Sequence, residues 1–338
     1  MSSQLRSDGA RVSLPSRRPG VPPGLAWVRA GMRALARVSP AAAAWLLDRL
    51  WFRAPRTRPE AAALACLAQA HRGSFVLHGR EVASWEWGEQ GPWVLLVHGW
   101  GGHAGQLHAF VPALLAAGLR VAAFDAPAHG ASAGSRHGRR RVSFLEFADA
   151  LRAMEARLGP LAGVIAHSGG CTATALAMRQ GWRAPGALVF VAPFCEPQQA
   201  VAGFAHQLGA AGAAVARFRA RAVRWLGLEW DDLDIAGLPE QCRTGQLLVL
   251  HDSGDREVPL AQSQRLVAAW AGARLVVTHG AGHRRLLVQP AVVEAATDFL
   301  AARSLDSHAP APQRPADARG ELDQAFEATA RFWQRQGA

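Results

Sequence analysis

The residues best suited to covalent chemistry in this 338-residue chain surround Ser168. An apolar run too short for a helix, Leu161-Ala162-Gly163-Val164-Ile165-Ala166, leads into His167-Ser168-Gly169-Gly170, and an Ala-rich pattern with helical spacing follows at once. That order predicts strand, sharp turn, helix. A serine at the tip of such a turn takes up a strained backbone conformation, which requires very small side chains two residues to either side. Here those neighbours are Ala166 and Gly170. A serine hydroxyl is a weak nucleophile at neutral pH and needs a base to receive its proton and donors to hold the resulting oxyanion. The turn lifts the hydroxyl off the sheet and aims the Gly169 N–H, at the start of the helix, at the developing charge. A small-x-Ser-x-small pentapeptide also arises by chance in a chain this rich in Ala and Gly, so the surrounding elements must decide.

Those elements alternate strand and helix. Residues 74–78 and 81–87, with Gly79-Arg80 between them, predict a hairpin. Residues 93–97 form a continuous apolar run of the kind buried on both faces of a sheet. His98-Gly99-Trp100-Gly101-Gly102 and a helical stretch over 104–117 follow it. A glycine-rich loop between strand and helix leaves N–H groups free for a phosphate or an oxyanion. The dinucleotide G-x-G-x-x-G pattern is absent, and the lysine-containing phosphate loop is impossible in a chain without lysine. The oxyanion reading is favoured, with the Trp100 N–H as donor. A strand over 119–124 enters Asp125-Ala126-Pro127-Ala128-His129-Gly130-Ala131-Ser132, in which His129 is expected to fix a loop rather than do chemistry. Residues 134–141 are basic and expected to be exposed. Ser143 and Glu146 have capping-box spacing for a helix to about residue 156. Repeated strand-helix-strand alternation implies a largely parallel sheet.

Composition narrows the class. Half of the residues are hydrophobic, enough for one large core. The chain has no lysine, tyrosine or asparagine, which reflects a coding bias and makes the basic pI a poor argument for nucleic acid. The first 60 residues carry 11 Arg against Asp8, Asp48 and Glu60, whereas the other 26 Arg are nearly balanced by 23 acids. The body thus lacks the basic excess of a nucleic-acid enzyme. Cys66, Cys171, Cys195 and Cys242 are scattered without a CxxC pair, suggesting neither a disulfide framework nor zinc, and a cytoplasmic setting.

The loop 98–102, the turn 125–132 and the elbow at Ser168 resemble the α/β-hydrolase superfamily over residues 74–303, with Ala128 and Ala166 standing where its motifs carry glycine. The resemblance implies the α/β-hydrolase fold: a mostly parallel central sheet flanked by helices, with a helical cap inserted after the sixth strand, here 195–245. It also implies the chain order nucleophile, acid, histidine. His251-Asp252-Ser253-Gly254-Asp255 follows the strand 246–250, and the superfamily's placement of the acid four before a proline selects Asp255, with Asp252 as the alternative. After the strand 274–278, His283 matches the superfamily's base, with His279 as the alternative. Ser168, Asp255 and His283 would then act as a catalytic triad, Trp100 and Gly169 as an oxyanion hole, with no metal or organic cofactor.

The expected domain plan is a disordered basic tail over 1–23, a helical extension over 24–72, a core over 73–194 and 246–303, the cap, and a tail over 304–338 with a short helix at 321–334. In the extension, Leu25, Val28, Met32 and Leu35 share a helical face, with Arg29, Arg33 and Arg37 on another; this helix either docks on the core or touches an anionic membrane surface. Cap residues Phe204, Phe218, Trp225, Leu226 and Trp230 favour an apolar substrate group, while Arg217, Arg219, Arg221 and Arg224 offer either an anion site or a solvated face. The function expected is a serine hydrolase of small carboxylic esters or thioesters, against an acyltransferase with the same triad or a non-catalytic binding protein.

Overall fold

The computed structural model describes residues 23–243 and 245–306. Of the tails expected over 1–23 and 304–338, Pro23 and residues 304–306 are instead helical, because the helices Pro23–Val38 and Pro290–Asp306 each run past the expected boundary; the rest of both tails, with the short helix at 321–334, lies outside the described residues. Three helices come first: α1 (Pro23–Val38), α2 (Pro40–Trp51) and α3 (Ala61–Ala68). The core then runs β1 (His71–Leu77), β2 (Arg80–Trp87), β3 (Trp93–Val97), α4 (Phe110–Ala116), β4 (Arg120–Phe124), α5 (Phe144–Leu158), β5 (Leu161–His167), α6 (Gly169–Arg179) and β6 (Ala187–Val191). Two helices, α7 (Pro197–Leu208) and α8 (Ala213–Leu226), intervene before β7 (Gln246–Asp252), α9 (Leu260–Ala269), β8 (Arg274–Thr278), α10 (Gly282–Arg285) and α11 (Pro290–Asp306).

The strands make one eight-stranded sheet in the order β1-β2-β4-β3-β5-β6-β7-β8. β1–β2 and β2–β4 pair antiparallel and every other neighbour is parallel. The period-two alternation of a strand divides its apolar residues between two cores. Leu95, Val97, Val164, Ala166, Leu188 and Phe190 face the first, while Val94, Leu96, Ile165, Val189 and Val191 face the second. Because β3, β5, β7 and β8 all point the same way, their carboxyl ends deliver Gly99, Ser168, Asp255 and His283 to one rim, where ligands bind in open α/β sheets. The β1–β2 turn is His78-Gly79, one residue earlier than expected; both take positive φ, 49° and 70°, matching the strand twist.

The helical extension is built into the first core. Met32 of α1 and Ala43, Ala44 and Leu47 of α2 are buried in it, and α2 packs along α8. Trp27 and Val38 of α1 stay exposed. Ser39 caps α2 by accepting the Ala42 N–H at 3.2 Å. The basic loop expected to be exposed over 134–141 turns inward at its end. Arg141 donates to both carboxylate oxygens of the buried Asp48, at 2.8 and 3.0 Å, with Arg221 at 3.6 Å, and lies 4.0 Å over Trp225. Among the described residues, no helix is long and apolar enough to cross a membrane.

If the extension is part of the fold, Leu47→Ala, which empties a fully buried site, lowers stability by about 2–5 kcal/mol. A urea melt measures this, and a loss below about 1 kcal/mol would mark α2 as peripheral.

Candidate active site

Ser168 adopts φ 52° and ψ −118°, in the left-handed half of backbone space. Its N–H donates to Val191 O at 3.0 Å, and its carbonyl accepts from Cys171 and Phe194 N–H groups at 3.0 and 3.3 Å, so neighbouring elements hold the strain. A Cβ at position 170 would lie 2.6 Å from His98 O and 2.7 Å from Val97 O, which leaves room there for glycine only. At position 169 a Cβ would meet Phe144 at 2.7 Å and the Trp100 nitrogen at 3.4 Å. The two nitrogens expected to bind an oxyanion, those of Trp100 and Gly169, are therefore neighbours. Neither N–H donates to any acceptor among the described residues.

The loop carrying Trp100 is held from both ends. Gly99 N–H donates to the Gln106 side chain at 2.8 Å, and Gly102 N–H to Gly99 O at 2.9 Å. His98 is fully buried; its Nδ1–H donates to Gly99 O at 2.8 Å and its Nε2 accepts the Ala126 N–H at 3.0 Å. Burial lowers its pKa to about 4, so it remains a neutral tie between two loops. Asp125 accepts the Ala104 and Ala131 N–H groups, each at 2.6 Å, and His129 is buried against His98 and Phe147. His129 Nδ1–H donates to Pro127 O at 3.0 Å, the loop-fixing part expected for it.

The structure brings Ser168, His283 and Asp255 into contact. Ser168 Oγ is 3.0 Å from His283 Nε2, and His283 Nδ1 is 2.6 Å from Asp255 Oδ2. With the carboxylate at Nδ1, the ring proton belongs there, and Nε2 is left to accept from the serine. Asp255 Oδ1 accepts the Glu257 and Val258 N–H groups at 2.8 and 2.9 Å, and His251 Nε2 stands 3.4 Å from Oδ2. Burial pushes the Asp255 carboxyl up, but hydrogen bonds from His251, His283 and Val258 overcome it and hold the group well below the usual carboxylate range. His167 is also buried next to the serine, 4.8 Å from His283 between ring centroids. Its Nε2–H donates to the His283 carbonyl at 3.1 Å, and burial, with the nearby His283, lowers its pKa to about 3.

The two alternatives read from the sequence have other work. Asp252 accepts from Gly254 N–H, Thr278 Oγ1 and Ala281 N–H at 2.9, 2.9 and 3.0 Å, and so joins the ends of β7 and β8. His279 is held by Ser253 Oγ at 2.6 Å on the surface. Cys171 is buried and its Sγ–H donates to Ala166 O at 3.2 Å. Among the described residues, no group of three His, Cys, Asp or Glu side chains is placed to hold a metal ion.

Ser168 and His283 open onto a cavity of about 620 Å³. Phe204, Leu226 and Trp230 line it, while Phe218 lies behind them, and Trp225 packs on Phe52 at 4.4 Å instead. None of the four α8 arginines lines the cavity; Arg221 reaches Asp48 and Arg219 lies over Trp230. The residues missed by sequence reading are His251 and His167 behind the contact set, and Leu50, Trp51 and Phe52 in the cavity wall. For His251 the position beside Asp252-Asp255 was a signal; for the wall residues there was none, since nothing in local spacing reports that α2 reaches the site.

Comparison with known proteins bears on the family and the fold. A model described as the alpha/beta hydrolase family matches residues 94–296. Among solved structures, a putative lipase from Acinetobacter baumannii AYE superposes with a TM-score of 0.56 at 16% identity, covering 74% of this chain and 99% of that one. A membrane phospholipase A, a bacterial virulence factor, gives 0.53 at 17%, covering 82% and 97%. Est1E from Butyrivibrio proteoclasticus gives 0.53 at 16%, covering 70% and 99%. At these identities the likeness is one of fold. No curated protein sequence matches.

Two outcomes follow. Gly170→Ala, with backbone on both sides of the added methyl, destabilises by about 2–3 kcal/mol in a urea melt. Burial pushes the Glu146 carboxyl, which caps α5 beside the cavity, up to about 7, against the Arg136 charge and the Ser143 N–H. A carboxyl whose folded pKa is raised binds protons more tightly folded than unfolded, so it lowers stability as pH rises from about 4.5 to about 7. Glu146→Gln removes that fall, worth about 3 kcal/mol, and melts above wild type at pH 8.

Proposed function

The chain belongs to the alpha/beta hydrolase family, and from that premise we propose that it is a serine hydrolase that cleaves a carboxylic ester or thioester of a small molecule through an acyl-enzyme on Ser168. The observation that carries the reading is the unbroken chain of contacts from the Ser168 hydroxyl through His283 to Asp255, at 3.0 and 2.6 Å. His283 Nε2 takes the serine proton as Oγ attacks the carbonyl carbon, and Asp255 fixes the tautomer and stabilises the imidazolium. The Trp100 and Gly169 N–H groups receive the tetrahedral oxyanion, each such donor being worth about 3 kcal/mol of barrier. His283 then protonates the leaving alcohol or thiol, and the same nitrogen activates the water that releases the acid. His167, uncharged and donating to the His283 backbone, leaves a single base beside the serine.

The reading is tested with p-nitrophenyl esters and a fluorophosphonate probe on wild type and Ser168→Ala. The expected outcome is ester turnover and covalent labelling in wild type, with kcat reduced at least about 10³-fold and labelling abolished in the variant. Turnover retained by folded Ser168→Ala would sink the mechanism.

A further inference from the structure

The wall of the cavity is drawn from outside the region matched by the family. Leu50, Trp51, Phe52, Arg53 and Pro55, at the end of α2 and just beyond it, all line the same cavity as Ser168, whereas the family match begins at residue 94. Trp51 packs edge-on against Phe204 at 5.1 Å and Trp230 at 6.1 Å, so one aromatic surface is assembled from three distant segments. The segment is fixed on both sides of that ring. Three residues before Trp51, the buried Asp48 carries the Arg141 and Arg221 contacts. Just after it, Phe52 O accepts the Val142 N–H at 3.0 Å and Ala54 N–H donates to Arg140 O at 2.9 Å. An aromatic ring held this way is a wall rather than a passing contact.

The charge of the lining says what the cavity takes. Its Arg and acidic residues are Arg53, Glu257 and Arg284, all exposed, with Glu257 and Arg284 paired to each other at 3.2 Å. Among the described residues, no buried Arg lines the cavity to receive an anionic tail.

We infer that the α2 segment is part of the substrate site, that the cavity takes an uncharged, apolar acyl chain, and that Trp51 sets the longest chain accepted. The inference rests on the hydrolase reading for its chemistry, but its binding half stands apart from it. Each methylene buried in the cavity multiplies kcat/KM about fourfold until the chain meets the wall.

The test uses the full chain with p-nitrophenyl esters from acetate to palmitate. Trp51→Ala, and Trp51→Leu as the milder variant should the first fail to fold, raise the kcat/KM ratio of the palmitate to the butyrate ester at least tenfold and move the optimum to longer chains. Trp45→Ala, on the same helix but outside the cavity, leaves the wild-type ratio. Binding is read separately by quenching of tryptophan fluorescence with non-hydrolysable p-nitrophenyl alkyl ethers in Ser168→Ala, where adding Trp51→Ala shifts the preferred ether to longer chains. Esterase activity with a chain-length profile indifferent to Trp51 would overturn the inference and leave the hydrolase reading standing. Absence of any hydrolysis by wild type, with ether binding that still depends on Trp51, would do the reverse.

Discussion

A serine backbone turned into the left-handed region is the constraint to which the rest of the site answers. Such a conformation costs about 1–3 kcal/mol and persists only where its surroundings over-determine it. Here Val191, Cys171 and Phe194 hydrogen-bond both sides of the serine peptide, and the carbonyls of Val97 and His98 press so closely on position 170 that no side chain fits. The same crowding shapes the proposed oxyanion site. It sets the Trp100 and Gly169 nitrogens beside each other at the rim, with N–H groups that no acceptor among the described residues takes up. Strain and unsatisfied donors thus share one origin, the close approach of β3 and β5 at their carboxyl ends.

Electrostatics then separates the histidines. His98, His129 and His167 are all buried near the serine, and burial drives each toward the neutral form, to about 4, 3 and 3 respectively. Each also has a ring nitrogen committed to a backbone carbonyl, that of Gly99, Pro127 or His283. His283 joins the Ser168 hydroxyl to the Asp255 carboxylate, whereas His251 joins the Ser263 hydroxyl to it. That carboxylate, its side chain buried and its pKa held below the usual carboxylate range by its donors, favours a positive charge on the His283 ring. Geometry and charge therefore both favour the imidazole proposed as the base for Ser168.

Much of this was legible in the chain because it is local. The elbow announces itself through small residues at 166, 169 and 170, and the sheet through short apolar runs at regular spacing. Asp255 over Asp252 came from likeness to a family's loop. In the structure Asp252, at the strand end, is occupied by the N–H groups of Gly254 and Ala281 and by the Thr278 hydroxyl, while Asp255 lies further along the loop and meets His283. What spacing could not report is long-range pairing. Arg141 read as one more arginine in an exposed basic loop, and Asp48 as one of few acids in a basic extension. Only folding across 93 residues joins them.

That pair deserves a physical reason, because two charges removed from water seldom stabilise more than apolar residues of the same volume. Its value lies in where it can form. Apolar helices such as α2, with Ala41 to Ala44 and Leu46, Leu47 and Leu50 in succession, could slide or rotate on a neighbour with little penalty, since many registers bury comparable area. A carboxylate that must meet the Arg141 guanidinium admits one register. In that register Trp51 is turned toward Phe204 and Trp230, and Phe52 toward Trp225. Arg141 is itself pinned over Trp225, on the helix that supplies Leu226 to the cavity. The ion pair therefore couples the extension, the basic loop and α8 into one wall, so that the shape of the cavity depends on a contact that touches neither the cavity nor the reacting groups.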